Sequence, residues 1–358
     1  MKLGIIGLPS SGKTTIFNAL TKGDNPTGQS MGGRFDVLSA MVDVPDERVD
    51  RLSAMFNPKK TTYARVTYSD IAGLTKGIGE SGGLGGPLLN HLAQVDGYVH
   101  VIRAFESEMV PHPDGAVDPM RDLEALDTEF LLYDMVQVES KLERIADGLR
   151  RGATKDKAAA AREEELFTRL QATLAEEKPL RAMELTDEEE KSLRGYGLLS
   201  LKPVLVLINL GDDQQEIDIA YDWPNSRLCQ LHGRLEAELA QLTGDDLEMF
   251  MEEYGVTELG LDLVIRLSYD LMGLHSFFTV GEDEVRAWTI PLNATAVEAA
   301  GTIHSDLAKG FIRAETVHYD DLLEAGSMAA VKHAGKFRQE GKTYIVVDGD
   351  IINVKFNI

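Results

Sequence analysis

The chain has 358 residues, 43% of them hydrophobic and 27% charged, with a formal net charge of -23, which is apolar material for two or three ordinary globular domains. So acidic a chain excludes a nucleic-acid binder that works through a broad basic face, because neutralising phosphates takes clustered Lys and Arg. The single cysteine, Cys229, excludes an internal disulfide and a thiolate metal cluster made by this chain alone; with no apolar run long enough to span a bilayer and no leader before the first strand, a cytoplasmic protein without a membrane partner is expected.

Leu3 to Ile6 reads as a buried strand, and Gly7-Leu8-Pro9-Ser10-Ser11-Gly12-Lys13-Thr14 follows it directly. This run fits the phosphate loop G-x-x-x-x-G-K-[ST], with Thr15 to Leu20 continuing as a helix whose positive N-terminus adds to the field. Pro9, Ser10, Ser11, Gly12, Lys13, Thr14 and Thr15 are therefore the expected nucleotide-binding residues. Lys13 would reach the β- and γ-phosphates, and Thr14 would put its hydroxyl on Mg²⁺. Val66 to Ser69 reads as another strand, running into Asp70-Ile71-Ala72-Gly73. At this separation from the loop, the Asp70 carboxylate would hold the Mg²⁺ hydration shell and the Gly73 N–H would sense the γ-phosphate. Glutamine-dependent GTPases orient the attacking water with the next residue, which here is Leu74, a side chain unable to polarise water. The glycine-rich run from Gly77 to Gly86 reads as a mobile switch beside it.

Tyr98 to Arg103 is a further strand. Then Leu131, Met135, Val138, Leu142, Ile145 and Leu149 recur at alternating spacings of four and three, the seam of a helix packed on a helix. Leu166, Leu170 and Leu174 line a second helix beyond Gly152, giving an antiparallel coiled-coil hairpin inserted into the α/β core. Lys141, Arg144, Arg150, Arg151, Lys155, Lys157 and Arg162 outnumber Glu143, Asp147 and Asp156 near its tip; a local RNA-contact patch and a solvated helical face both fit such a run. Pro203 to Asn209 resumes the buried-strand pattern and opens the base-reading loop Asn209-Leu210-Gly211-Asp212. The guanine reader N-K-x-D has a Lys that is missing here, while Asp212 keeps the carboxylate, so ATP and GTP both stay open. Strands at Arg286 to Ile290 and Thr343 to Val347 place a small α+β domain at the C-terminus. The expected division is a P-loop domain over 1–126 and 199–274, the helical insertion over 127–198 and the terminal domain over 275–358.

Beyond these motifs, the Val117-Asp118-Pro119-Met120-Arg121-Asp122 run, Leu235 to Leu239, Phe277 to Pro291, Lys309 to Glu315 and Asp348-Gly349-Asp350 resemble the YchF or Obg-like ATPases, a branch of the translation-factor-related P-loop GTPases, over nearly the whole length. The resemblance implies a GTPase-type α/β core, a coiled-coil hairpin and a C-terminal TGS domain of ubiquitin-like β-grasp fold. It also implies a slow NTPase that prefers ATP and associates with ribosomes, rRNA or translation factors through the hairpin and the TGS domain. Family members carry a hydrophobic residue at the Leu74 position and use a loop histidine for hydrolysis, which corresponds by spacing to His112; an imidazole can orient or deprotonate water. The chain departs from the family pattern in three places. Gly28 to Leu38 lacks the first-switch threonine, Asp212 stands for a Glu, and His232-Gly233-Arg234 replaces S-A-K while keeping the Gly233 N–H for a base. The chain thus reads as a divergent nucleotide-dependent switch that hydrolyses ATP or GTP slowly with Mg²⁺. The alternative is a nucleotide-gated scaffold with negligible hydrolysis.

Overall fold

The computed structural model of the chain describes residues 1–23, 25, 37–72, 74, 86–152, 156–254 and 258–357. Its strands are β1 (Lys2–Ile6), β2 (Leu38–Asp43), β3 (Lys60–Thr62), β4 (Arg65–Asp70), β5 (Gly97–Arg103), β6 (Val204–Asn209), β7 (Ser226–Leu231), β8 (Leu274–Thr279), β9 (Glu284–Pro291), β10 (Phe311–His318), β11 (Arg338–Glu340) and β12 (Asp350–Phe356). They form two sheets, ordered β2-β4-β1-β5-β6-β7 and β11-β10-β12-β8-β9-β3. The chain divides into two compact units, Met1–Met41 with Thr67–Val264, and Val42–Val66 with Ile265–Ile358. Among the described residues no helix is long and apolar enough to cross a membrane.

In the first unit β4, β1, β5, β6 and β7 pair in parallel, and every residue of β5 and β6 is buried. That is why β6 reads as an apolar run from Val204 to Ile208 rather than as an alternating one. Tyr98, Ile102, Val206 and Ile208 meet Leu88 and Leu92 of the helix Gly86–Gln94 and Leu123, Leu126 and Phe130 of the helix Pro119–Arg150 in one core. In open parallel sheets of this kind, ligands sit beyond the carboxyl ends of the strands, which is where Gly7, Ile71, Ala104 and Leu210 leave β1, β4, β5 and β6.

The helix Pro119–Arg150 begins on an Asp118 side chain that accepts from the Arg121 amide, with Pro119 in its first turn. It runs for 32 residues, a length of about 48 Å. Its far half pairs with the helix Lys157–Ala175, and Val138 packs with Leu166, Phe167, Leu170 and Leu174, flanked by Leu131, Met135 and Leu142. Leu131, Met135, Val138 and Leu142 of the expected seam are in this cluster, which does not include Ile145 and Leu149, and Gly152 sits at φ 65 between the helices. Part of the basic tip is neutralised within the hairpin, Lys141 by Glu163 at 2.7 Å and Arg150 by Asp147; Lys155 lies outside the described residues. The return to the sheet is pinned by buried Asp134, which accepts from the Leu199 amide at 2.7 Å, the Ser200 amide at 2.7 Å and the Ser200 hydroxyl at 2.6 Å. Burial raises its pKa to about 6 against the pull of these donors.

In the second unit β8 and β9 form a hairpin, β12 runs parallel to β8, and β10 lies antiparallel to β12. Phe277, Ile290, Phe311, Ala314 and Ile352 pack against Ala296, Ala299 and Ala300 of the helix Ala296–Ile303, a helix laid across a mixed sheet in the β-grasp manner. The segment Val42–Val66 belongs here as well: β3 adds a parallel edge to β9. Arg48 bonds Asp46 at 2.9 Å and Asp348 at 2.7 Å, and stands over the Phe278 ring at 5.0 Å. The expected strand Thr343–Val347 is corrected to an extended loop with a single bridge, Thr295↔Ile345. The Tyr344 carbonyl accepts from the Ala296 amide and the Val346 amide donates to the Ala294 carbonyl, which together make that one bridge, and Val347 donates to the Asp350 carboxylate. Beyond that bridge the Val347 amide goes to a side chain, so the pairing is not continued as a ladder.

Replacing Asp134 with Ala orphans two buried amides and should cost on the order of 3 kcal/mol. Urea unfolding followed through Trp223 in a Trp288→Phe background checks this; an unchanged midpoint would show that the hairpin is held by its apolar seam alone.

Candidate functional site

The phosphate loop is shaped by close backbone approaches. Gly7 sits at φ 148 with space for a Cβ closed by the Val101 carbonyl at 2.3 Å, and Gly12 sits at φ 95 with the Asn209 amide nitrogen 2.2 Å from where a Cβ would go. Only glycine fits at these two positions. Ser10, between them, also takes a left-handed conformation at φ 63.

Within this loop, half-buried Lys13 turns its ammonium onto the loop itself, donating to the carbonyls of Gly7 at 2.9 Å and Leu8 at 2.7 Å. Burial lowers its pKa to about 8, opposed by the field of Asp70. Thr14 Oγ1 donates to Asp70 Oδ2 at 2.8 Å, so the two residues expected at the metal lie together. Burial raises the Asp70 pKa, with the Thr14 hydrogen bond and Lys13 acting the other way. Its Oδ1 and the Ser11 hydroxyl are buried without a partner. A hydroxyl, a carboxylate and an orphaned oxygen are hard donors, and they fit Mg²⁺, which takes one or two protein oxygens and leaves its other positions to water and phosphate. Among the described residues no cluster of three or more His, Cys, Asp or Glu is placed to hold a metal.

Asn209 staples the loops together. Its Nδ2 donates to the Ser11 carbonyl at 3.0 Å and its Oδ1 accepts from the Gly233 amide at 3.0 Å. The absence of a Cβ at Gly233 is required by this contact, since one would stand 2.5 Å from that Oδ1. His232 Nδ1 meets the Gly211 carbonyl at 2.7 Å, and Asp212 faces Arg234 at 3.6 Å, which also pairs with Glu238. Pro9 is exposed on the loop and Thr15 is half-buried in the first helical turn. Leu210 takes a different place from the one expected: its side chain enters the core and its amide donates to the Leu231 carbonyl, leaving neither for a base.

Leu74 is likewise a core residue, 1% exposed in the cluster with Leu88 and Leu92. Gly73, Gly77 to Gly85 and the stretch from Gly28 to Phe35 lie outside the described residues. His112 is 7% exposed rather than free on its loop. Its Nε2 is 2.8 Å from Asp122 Oδ2, and its Nδ1 accepts from the Asp114 amide at 3.1 Å. Both ring nitrogens are therefore occupied in this conformation.

Two residues in the site were not singled out by the sequence. Arg103, 2% exposed at the end of β5, donates to the Phe105 carbonyl at 3.0 Å and the Val110 carbonyl at 2.7 Å, and reaches the Ser10 carbonyl at 3.5 Å. Phe105 walls both loops: a Cβ on Gly12 would meet its ring at 3.9 Å, and one on Gly211 would meet its Cβ at 3.6 Å. The available signal was an arginine closing a fully buried strand, at the carboxyl edge where ligands bind.

Comparison with known proteins matches residues 2–141 to the family described as "50S ribosome-binding GTPase" and residues 274–357 to the C-terminal region of YchF-type GTPases, described as "Protein of unknown function (DUF933)". The chain is 41% identical over 365 residues to the "Ribosome-binding ATPase YchF" of Bacillus subtilis (strain 168), covering 99% of both chains. It is 38% identical over 368 residues to "Obg-like ATPase 1" of Oryza sativa subsp. japonica, covering 100% of this chain and 92% of that one. The solved structure of the Schizosaccharomyces pombe YchF GTPase superposes with a TM-score of 0.84 at 31% identity, covering 99% of this chain and 97% of that one.

A triphosphate beside Lys13 would favour its charged form, so binding should take up a proton wherever the free lysine is neutral. Affinity for Mg·ATP should then be level below about pH 8 and fall as the pH rises past it, approaching about tenfold per pH unit. Equilibrium titrations at pH 7, 8 and 9 measure this; a flat profile would show that Lys13 is already charged throughout.

Proposed function

The chain belongs to the YchF family of Obg-like P-loop NTPases, and on that premise we propose that it is a switch that binds Mg·ATP, hydrolyses it slowly and associates with ribosomes according to its nucleotide state. The observation that carries this reading is the meeting of Thr14 and Asp70 at 2.8 Å beside a lysine folded over its own loop. The loop amides around Ser10 to Lys13 would bind the phosphate oxygens, and Lys13 would exchange its two carbonyl partners for the β- and γ-phosphates. Thr14 and Asp70 would hold Mg²⁺, which would supply neutralisation of the phosphate charge.

ATP is preferred over GTP on a physical ground. A guanine needs a carboxylate acceptor for its N1 and N2 hydrogens, and Asp212 is already engaged by Arg234 at 3.6 Å. Adenine makes no such demand, and Phe105 offers it a flat apolar wall. The relatives' names, "Ribosome-binding ATPase" and "Obg-like ATPase", support both the base and the partner. The hairpin over 127–198 and the terminal domain over 275–358 are the surfaces we assign to the ribosome, and the cytoplasm is the place where such a partner is met.

Slow turnover follows from His112. To act on water it must leave Asp122 and the Asp114 amide, and Leu74, buried in the core, cannot take its place. The same lock favours the second reading, a nucleotide-gated scaffold with negligible hydrolysis.

Competition of ATP against GTP, repeated with Asp212→Glu and Arg234→Ala, tests the base assignment. GTP affinity should rise by about twofold to fivefold in Arg234→Ala, the scale of an exposed ion pair; an unchanged ratio in both variants would place base choice elsewhere. Phosphate release with and without ribosomes separates the two readings, since the scaffold predicts buffer-level release in both while nucleotide still binds.

A further inference from the structure

Arg103 is a buried cation with no carboxylate partner among the described residues. Its guanidinium is held by the carbonyls of Phe105 and Val110, the more distant carbonyl of Ser10, and the face of the Phe105 ring at 4.4 Å. Glu106 and Asp122 act on it only through their fields, and a buried charge without a bonded counter-charge is costly to a fold. The three carbonyls are not equivalent in position. Phe105 and Val110 are the two ends of the loop that leads to His112, whereas Ser10 is the left-handed residue at the middle of the phosphate loop. One rigid fork thus spans the place where phosphate would bind and the base of the segment that carries the histidine.

We propose that Arg103 is a positioning residue for nucleotide turnover, holding the phosphate loop and the 105–112 loop in one register so that occupancy of the first sets the placement of the second. This rests on the reading that His112 orients the attacking water. The physical route has two parts. A hydrogen bond to the Ser10 carbonyl polarises the Ser10–Ser11 peptide, making the Ser11 amide a stronger donor to phosphate. When phosphate draws that peptide, the guanidinium follows, and the Val110 carbonyl moves with it. Arginine suits the task because its planar donors keep a fixed spacing that a lysine ammonium lacks.

The test uses the full chain, wild type and Arg103→Lys, Arg103→Met, His112→Ala and Arg103→Met/His112→Ala variants. ATP Kd comes from equilibrium titration and kcat from phosphate release under saturating Mg·ATP. Arg103→Met should lower kcat by about tenfold or more while Kd changes by less than about threefold, the split expected of a group that acts on turnover rather than on uniform binding. Arg103→Lys should recover little of kcat, and in the His112→Ala background Arg103→Met should have no further effect. Wild-type kcat in Arg103→Met, with His112→Ala inactive, overturns this proposal alone; wild-type kcat in His112→Ala removes the reading of His112 and this proposal with it. Hydrogen exchange on the wild-type chain covers the case of a variant that does not fold. Amides of 105–112 should change protection when a non-hydrolysable ATP analogue binds, and no change there overturns the coupling.

Discussion

The site depends on a cation that the fold has brought in before its ligand. Lys13 must stand beside the phosphate loop for any triphosphate to be held. Without one, its ammonium bonds to the Gly7 and Leu8 carbonyls, and burial pulls its pKa down to about 8. The glycines around it follow from the same need. A loop tight enough to turn its amides inward leaves no room for a Cβ at Gly7 or Gly12, because the Val101 carbonyl and the Asn209 amide already occupy those places. Asn209 then carries the constraint outward, joining Ser11 to Gly233. Phosphate loop and base-reading loops therefore share one side chain, and a change in either is felt by the other.

What the sequence disclosed tracks how local each cause is. The phosphate loop, the buried strands on either side of it and the hairpin seam were legible because each is written in contiguous spacing: four glycine-loop positions before a helix, or apolar residues every three and four. Thr14 and Asp70 were legible as partners because the loop and the strand ending in Asp are each recognisable and parallel neighbours bring them together. Leu210, expected beside the base, lies in the core just past the end of β6, a placement set by contacts distant in sequence. Thr343 to Val347 carried strand residues, yet its backbone groups were claimed by Ala296, Ala294 and Asp350. Arg103 and Phe105 were invisible for a related reason, since their meaning lies in contacts to Ser10, Gly12 and Gly211, far away in sequence.

The partition of the chain adds a constraint that no motif announced. Val42–Val66 lies in sequence between the stretch where the first switch is expected and Asp70 at the metal position, yet it is part of the C-terminal unit. β3 is bonded to β9, and Arg48 is fixed by Asp46, Asp348 and the Phe278 ring. The covalent path from the expected first switch to Asp70 thus passes through an element built into the β-grasp sheet. Such a segment is costly to displace, because moving it would break a strand pair and a fork of ion pairs together.

Buried charge separates the structural from the functional parts of the first unit. Asp134 is as deeply buried as any group in the chain, and each of its oxygens is met by donors from Leu199 and Ser200. Nothing is missing around it, and its work is to hold the hairpin's return. Asp70 differs: one oxygen is bonded to Thr14 and the other is buried with no partner. Lys13 and Arg103 are hydrogen-bonded by neutral carbonyls, while the carboxylates near them, Asp70 for Lys13 and Glu106 and Asp122 for Arg103, act only through their fields. Selection for stability alone completes such shells or replaces the charge with an apolar side chain. The contrast between the fully bonded Asp134 at the hairpin and the partly bonded Asp70, Lys13 and Arg103 around one glycine loop separates a group that holds the fold from groups held for another task.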